Sequence, residues 1–368
     1  MLSSLLAVSA AFLSLTGLAQ GIPQAGVSST GAACNNSPLL CDRNYNNITH
    51  MGAHDSAFLR NKETSFSTAG NQFYDVTAAL SAGIRLLQAQ VHNLSGALKL
   101  CHTSCSLLDG GSLESFLSDI KIWMDSNPNE VVTLLLVNSD NMPAATIGDS
   151  FTTSGISKYG FAPASTSGPM ATWPTLQTLI SANTRLVSFI TNIEHDSTKP
   201  YLLPEFDYVF ETAFGVSSVG GFNCTVDRPS SLGSGSTAVS KGYLGLLNHF
   251  LDIEQSFGIT VPDVANIATT NSASTNTTGT AGTHGAQCQS EWGVRPTFIL
   301  VDFFNVGPAI QTADQLNGIS PVGRTSLSTA VLTAESSGAA STSGSGISWF
   351  GLAGFGMGVI ALGNFVFL

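Results

Sequence analysis

Charge is what this 368-residue chain has least of: Asp, Glu, Lys and Arg together make up 10% of it, against roughly 25% in an average soluble domain. Lys and Arg number 13 against 24 Asp and Glu, a formal net charge of −11. No basic run is present that would neutralise a row of phosphates, which excludes nucleic acid as a partner. The same shortage excludes electrostatic attachment to an anionic membrane, so any membrane contact has to be covalent or hydrophobic. The sequence also lacks a CxxC pair that would suggest zinc and an internal repeat that would indicate a solenoid. What it has is apolar residues, 43% of the chain, and 37 glycines. A disordered polyelectrolyte is therefore excluded, and the length allows one large domain with a substantial core.

Both ends read as processing signals. Residues 1–19 carry no charge and close on small residues at Gly17 and Ala19, the pattern of a secretory signal peptide. At the other end, residues 347–368 are uncharged and follow a small, polar stretch at 336–346. Small residues, a polar spacer and a terminal apolar tail are the pattern of a GPI-attachment signal, which would tether the mature protein to the outer face of the plasma membrane or the cell wall. The expected organisation is a signal peptide (1–19), a folded domain (20–312), a Ser/Thr/Gly-rich stalk (313–346) and the tail (347–368). Secretion fits the sequons at Asn47, Asn93, Asn223 and Asn276 as glycan acceptors. It also fits six cysteines, an even number suited to an oxidising compartment. Six cysteines allow fifteen connectivities; proximity along the chain alone suggests Cys34–Cys41, Cys101–Cys105 and Cys224–Cys288.

Between the ends, short apolar runs rich in β-branched residues alternate with helix-like stretches, a pattern that implies parallel strands. The runs at 48–52, 84–92, 97–102, 131–138, 186–191, 208–214, 243–250 and 297–304 are the expected strands. Residues 76–82, 113–127 and 173–183 are the expected helices, the second with Leu113, Phe116, Leu117, Ile120, Trp123 and Met124 at helical spacing before a stop at Asn127-Pro128. The polar stretch 265–287 is read as a surface loop. The expected fold is α/β: a single, distorted (β/α)8 TIM-type barrel, expected to act as a monomer.

In such a barrel, chemistry collects at the C-terminal ends of the strands. Those ends carry His54 and Asp55 after the first strand, Gln88, Gln90 and His92 on the second, His102 after the third, Asn138 after the fourth, Asn248 and His249 in the seventh, and Asp302 in the eighth. Two histidines and two carboxylates form an acid–base set. A neutral imidazole takes a proton from an attacking hydroxyl, an imidazolium gives one to a leaving oxygen, and a carboxylate fixes each ring. His50 reads as a residue of the barrel floor, His195 and His284 as solvated loop residues, and Trp123 as core. Phe303 and Phe304 are candidates for lining the mouth.

The motifs Gly52-Ala53-His54-Asp55-Ser56, Gly83-Ile84-Arg85-Leu86-Leu87-Gln88, Leu100-Cys101-His102, Asn127-Pro128-Asn129-Glu130 and Leu300-Val301-Asp302 together resemble the phosphatidylinositol-specific phospholipase C-like phosphodiesterases, especially the secreted, GPI-anchored fungal members. The resemblance runs from Asn44 to Gly307. It implies a distorted TIM-type barrel and a substrate of the phosphoinositide or glycosyl-phosphoinositide kind. It further implies His54 as general base on the inositol 2-hydroxyl with Asp302 orienting it, and His102 as general acid on the departing diacylglycerol oxygen with Asp55 in support.

The departures concern charge. Bacterial relatives carry Asp and then Arg where this chain has Gln88 and Gln90, and calcium-dependent relatives place acidic ligands on that strand. No metal or other cofactor is therefore expected. Gln88, Gln90 and His92 share one face of the strand, with Arg85 on the other as a structural partner of a carboxylate. Phosphoryl transfer gathers negative charge on the non-bridging oxygens, so Gln88, Gln90, His92, Asn138 and His249 are the candidates for binding substrate. Two readings stay open: a metal-independent phosphodiesterase, and a barrel that binds a polyol or inositol phosphate without turning it over. A glycosidase fits less well, Glu211 being the one further acid in evidence.

Overall fold

The computed structural model describes residues 32–166, 168–255 and 260–334. The expected signal peptide and GPI tail lie outside the described residues. Among the described residues, no helix is long and apolar enough to cross a membrane.

The strands are β1 (His50–Ala53), β2 (Leu86–Leu94), β3 (Ala97–Cys101), β4 (Asp109–Ser112), β5 (Val132–Asn138), β6 (Leu186–Ile190), β7 (Leu202–Pro204), β8 (Val209–Glu211), β9 (Leu244–Asn248), β10 (Asp252–Glu254), β11 (Thr260–Pro262) and β12 (Phe298–Val301). Eight of them form one curled parallel sheet in the order β7-β6-β5-β2-β1-β12-β9-β8. Strands β7 and β8 do not pair with each other and are joined by the short helix Glu205–Tyr208. The result is a distorted α/β barrel with one open seam, and β1 lies across the barrel from that seam.

Alternation along each strand separates two cores. Leu86, Leu135, Leu246 and Leu300 point inward and pack on a floor that includes Tyr45, Trp173, Phe189 and Phe298. Leu87, Ala89, Val91, Leu134 and Leu136 point outward, under the helices. Helix Leu113–Ser126 shows why the sequence folds this way locally: Ser112 caps it by accepting from the Ser115 amide, and its buried stripe is Leu113, Phe116, Leu117, Ile120 and Met124. Gly52 of β1 faces the inner core, where a Cβ would stand 2.8 Å from Leu86 Cδ2 and from Leu300 Cδ2. Only a residue without a side chain fits there.

The structure corrects the expected strand set at two places. The run at 97–102 is not a barrel stave, because Ser95 and Gly96 both have positive φ and form the two-residue turn that sends a strand back antiparallel. Thus β3 returns along β2, with Leu94 opposite Ala97, and β4 extends the excursion. The missing stave is β7, three residues ending in Pro204, too short to show a period. The polar stretch read as a surface loop instead contains helices Ile267–Thr270 and Ala281–Trp292, and its Thr270, Asn271, Thr280 and His284 are buried. The expected domain boundary at 312 falls inside helix Ile310–Asn317. The following residues still hold to the barrel through Arg324 Nη1 to Asp314 (2.7 Å) and the Thr325 amide to Ser81 O (2.8 Å).

Disulfides join Cys34 to Cys41, Cys101 to Cys105 and Cys224 to Cys288. Asn47, Asn93, Asn223 and Asn276 are all exposed.

Candidate active site

A cavity of about 590 Å³, its open mouth included, sits at the C-terminal end of the barrel and is lined in part by His54, Gln88, Gln90, Glu205, Asn248 and Phe250. β1 delivers His54 and Asp55 to it. Asp55 adopts φ 44° and Thr103, just after His102, φ 59°. Such left-handed conformations in non-glycine residues cost energy and persist where the surroundings over-determine them.

His54 is held on three sides. Its Nδ1 lies 2.8 Å from Asp302 Oδ1, its ring stacks on Phe250 with centroids 3.6 Å apart and planes 6° from parallel, and its Nε2 stands 3.7 Å from Asp55 Oδ2. Asn71 donates to Asp302 Oδ1 at 3.1 Å. Gln72 donates to the His54 carbonyl at 2.7 Å and accepts from the Phe304 amide at 3.2 Å. Burial pushes the His54 pKa down, but the negative charges of Asp55 and Asp302 outweigh it and hold the ring up at about 9.

His102 arrives by a different route from the one the sequence implied: the β2–β3 hairpin carries it back over the mouth, and Cys101–Cys105 closes the loop it starts. Its Nε2 stands 3.5 Å from the same Asp55 Oδ2, and its ring meets Phe58 edge-on at 5.2 Å. Asp55 thus lies between both imidazoles rather than behind His102 alone. Its own pKa is raised, by burial above all and also by Asp302, with His54 and His102 opposing. Asp55 Oδ1, Asp302 Oδ2 and His102 Nδ1 are buried without a protein partner.

The two glutamines do not stand free. Gln88 Oε1 accepts from the Asp55 amide at 2.6 Å. Gln90 Nε2 donates to Asp55 Oδ2 at 2.8 Å while its Oε1 accepts from the Thr103 amide at 3.1 Å. Gln90 therefore braces Asp55 and the His102 loop. Arg85 points away from the cavity, with Nη2 2.6 Å from Glu130 Oε2.

Three of the expected substrate-binding residues are not among those that line the cavity. Asn138 is fully buried and ties down the turn after β5, donating to Met142 O and Asn192 O. His92 lies farther out on β2, with Nδ1 3.4 Å from Asp140 Oδ1. His249 faces outward because alternation gives the cavity its neighbours Asn248 and Phe250. It is packed against His284, Nδ1 to Nδ1 3.0 Å, and burial first, then His284, holds its pKa down at about 3, so it supplies no charge near neutrality. His284 is likewise buried, not solvated. Phe303 and Phe304 are core; the aromatic residues at the cavity are Phe250 and Phe214. His50 is buried near the floor beside Tyr45.

Sequence reasoning missed Asn71, Gln72, Phe250, Glu205 and Arg228. Asn71 and Gln72 sit in an irregular loop with no motif, whereas Asn248 at the end of β9 predicts by alternation that Phe250 points inward. Among the described residues, one cluster has metal-ligand spacing, Cys224, His284 and Cys288, and its sulfurs are joined in a disulfide away from this cavity.

A parallel barrel with its polar side chains gathered at the C-terminal ends of the strands is the architecture of the α/β-barrel enzymes. The chain belongs to the PI-PLC X family, whose model matches residues 40–317. A PI-PLC X domain-containing protein 1 of Arthroderma benhamiae is 38% identical over 291 residues, covering 78% of this chain and 90% of the relative. An uncharacterized secreted protein of the same organism is 34% identical over 310 residues, covering 82% and 68% respectively. Among solved structures, the phosphatidylinositol-specific phospholipase C from Listeria monocytogenes superposes with a TM-score of 0.52 at 17% identity, over 77% of this chain and 97% of that one, a likeness of fold.

Proposed function

We propose that the protein is a secreted, metal-independent phosphodiesterase acting on an inositol phospholipid or a glycosyl-phosphoinositide. The observation that carries the reading is the shared Asp55 oxygen, 3.7 Å from His54 Nε2 and 3.5 Å from His102 Nε2, with Asp302 behind His54. In the proposed reaction, the ring hydroxyl next to the phosphate loses its proton to His54 Nε2 as its oxygen bonds to phosphorus. The bond from phosphorus to the diacylglycerol oxygen breaks, and that oxygen takes a proton from His102. His102 Nε2, which faces the same Asp55 oxygen at 3.5 Å, is the nitrogen that gives it, Nδ1 being buried. The products are a cyclic phosphodiester and diacylglycerol. Asp302 orients His54 and stabilises the imidazolium that forms. Secretion is supported by the leader-like residues 1–19 and by the relative named as secreted; attachment through a GPI anchor rests on the pattern of residues 336–368.

A second reading, binding without turnover, is favoured by what the donors already hold: Gln90 donates to Asp55, and Arg228, the one Lys or Arg among the described residues lining the cavity, is paired with Glu211 Oε1 at 2.7 Å, so no unpaired Lys or Arg there meets the non-bridging oxygens. The deciding experiment is release of cyclic inositol phosphate from phosphatidylinositol vesicles by the purified chain. Activity that falls about 10²–10⁴-fold in His54→Ala and in His102→Ala supports the enzyme. No release by the native chain, together with measurable inositol phosphate binding, leaves the binding protein.

A further inference from the structure

The barrel has a second cavity on the face opposite the His54 site. Its residues stand where the chain enters the sheet: Asn46 and Asn47 shortly before β1, Val239 and Tyr243 before β9, and Val294 and Arg295 before β12. The cavity measures about 640 Å³, its open mouth included, within the range of roughly 300–1,000 Å³ found for clefts that hold small ligands. Asn47 ends the short turn Tyr45–Asn47 and is exposed, and its carbonyl accepts from Arg295 Nη1 at 3.2 Å. It also opens the sequon Asn47-Ile48-Thr49. Asn46, next to it, has Oδ1 buried without a partner among the described residues.

The lining suits one class of ligand. A buried amide oxygen with no donor carries a desolvation cost that a ligand's O–H or N–H recovers. Arg295 has further N–H donors for hydroxyl or carbonyl oxygens, and Tyr243 and Val294 give an apolar wall for the C–H face of a ring. N-acetylglucosamine has all of these counterparts: ring hydroxyls, an acetamido N–H and C=O, and an apolar ring face. It is also the sugar through which a glycan joins Asn in a sequon. Attachment at Asn47 holds it at the cavity mouth at an effective concentration in the millimolar range, so weak contacts suffice to seat it. Asn93, Asn223 and Asn276 are not among the residues lining this cavity, which makes them internal controls.

We infer that this cavity beneath the barrel is a receptor for the chain's own Asn47-linked N-acetylglucosamine core. The sugar gives a hydrogen bond to Asn46 Oδ1, accepts from Arg295 and covers the floor entrance between β1, β9 and β12. The inference rests on the secretion part of the proposed function and not on turnover. The third residue of the sequon, Thr49, is buried and donates to Pro296 O at 2.7 Å, so the variant that removes the glycan without disturbing the floor is Asn47→Gln.

The test expresses the full chain in a yeast host and digests the folded protein with endoglycosidase H, reading each sequon by peptide mass spectrometry. Asn47 is expected to carry a glycan and to lose it about tenfold more slowly than the other occupied sequons, a difference that vanishes after denaturation. Val294 is 45% exposed and lines the cavity, so Val294→Arg crowds the mouth without entering the core. It is expected to bring the Asn47 rate to within about threefold of the others. Asn47→Gln is expected to lower the thermal midpoint by about 2–4 °C, and Asn276→Gln to leave it in place. Equal digestion rates in the native protein overturn the inference, as does protection that persists in a folded Val294→Arg protein. A glycan at another sequon with none at Asn47 overturns it and leaves secretion standing, whereas no glycan at any sequon overturns both.

Discussion

His54 Nδ1 and Asp302 Oδ1 stand 2.8 Å apart across 248 residues of sequence, brought together because β1 and β12 pair in parallel with Ala53 opposite Val301. The next residue of each strand is therefore the histidine and the carboxylate. Asp302→Asn keeps the shape and removes the charge that fixes the ring. It is expected to lower kcat by about 10²–10⁴-fold with little change in KM, measured on phosphatidylinositol vesicles. A loss confined to KM would assign Asp302 to substrate binding instead.

The same contact sets a pH dependence. With its pKa held at about 9 against an ordinary 6.5, His54 of the free protein is an imidazolium at neutral pH, and the base form grows as pH rises. The profile of kcat/KM should climb through neutrality towards pH 9, and the rising limb should move to lower pH in Asp302→Asn. A limb that stays in place in that variant belongs to another group.

Stability should run the opposite way. Because the folded-state pKa of His54 lies above its unfolded value, its contribution is fully present below about pH 6.5 and is lost as pH rises through about 9. Urea denaturation midpoints across this window should fall for the native chain and fall less for His54→Phe.

Gln90 uses both ends of its side chain on the site's own framework: its amide bonds Asp55 and its carbonyl the Thr103 amide. Gln90→Leu is expected to destabilise the fold by about 1–3 kcal/mol, since a buried carboxylate loses a donor, and to reduce activity along with it. Gln90→Arg should preserve the bond to Asp55. If Gln90→Leu is as stable and active as the native chain, the bracing role is wrong.

Gly52 lies where Leu86 and Leu300 close over β1. Gly52→Val forces those side chains apart, at a cost of about 1–3 kcal/mol, read as a lower thermal midpoint. A midpoint equal to that of the native chain would show that the inner core has room for a side chain.

The sequence by itself determined the barrel class, most of its staves and the residue types at the strand ends, while the disulfide pairs that proximity suggested are those the structure joins. The first three follow from period and motif, local properties of the chain. It did not determine which strand-end residues share the cavity. His249 and Asn248 are neighbours in sequence, but alternation turns one into the cavity and the other towards His284, and the inward register is set by pairing with strands far away in the chain. His102 could be placed at a strand end, but the hairpin that brings it to Asp55 depends on the backbone at Ser95 and Gly96. Glu205 carried no signal at all: the three-residue stave before it shows no period, and only the curl of the sheet puts its unpartnered carboxyl group opposite His54. Register and closure are long-range properties, and they decided the site.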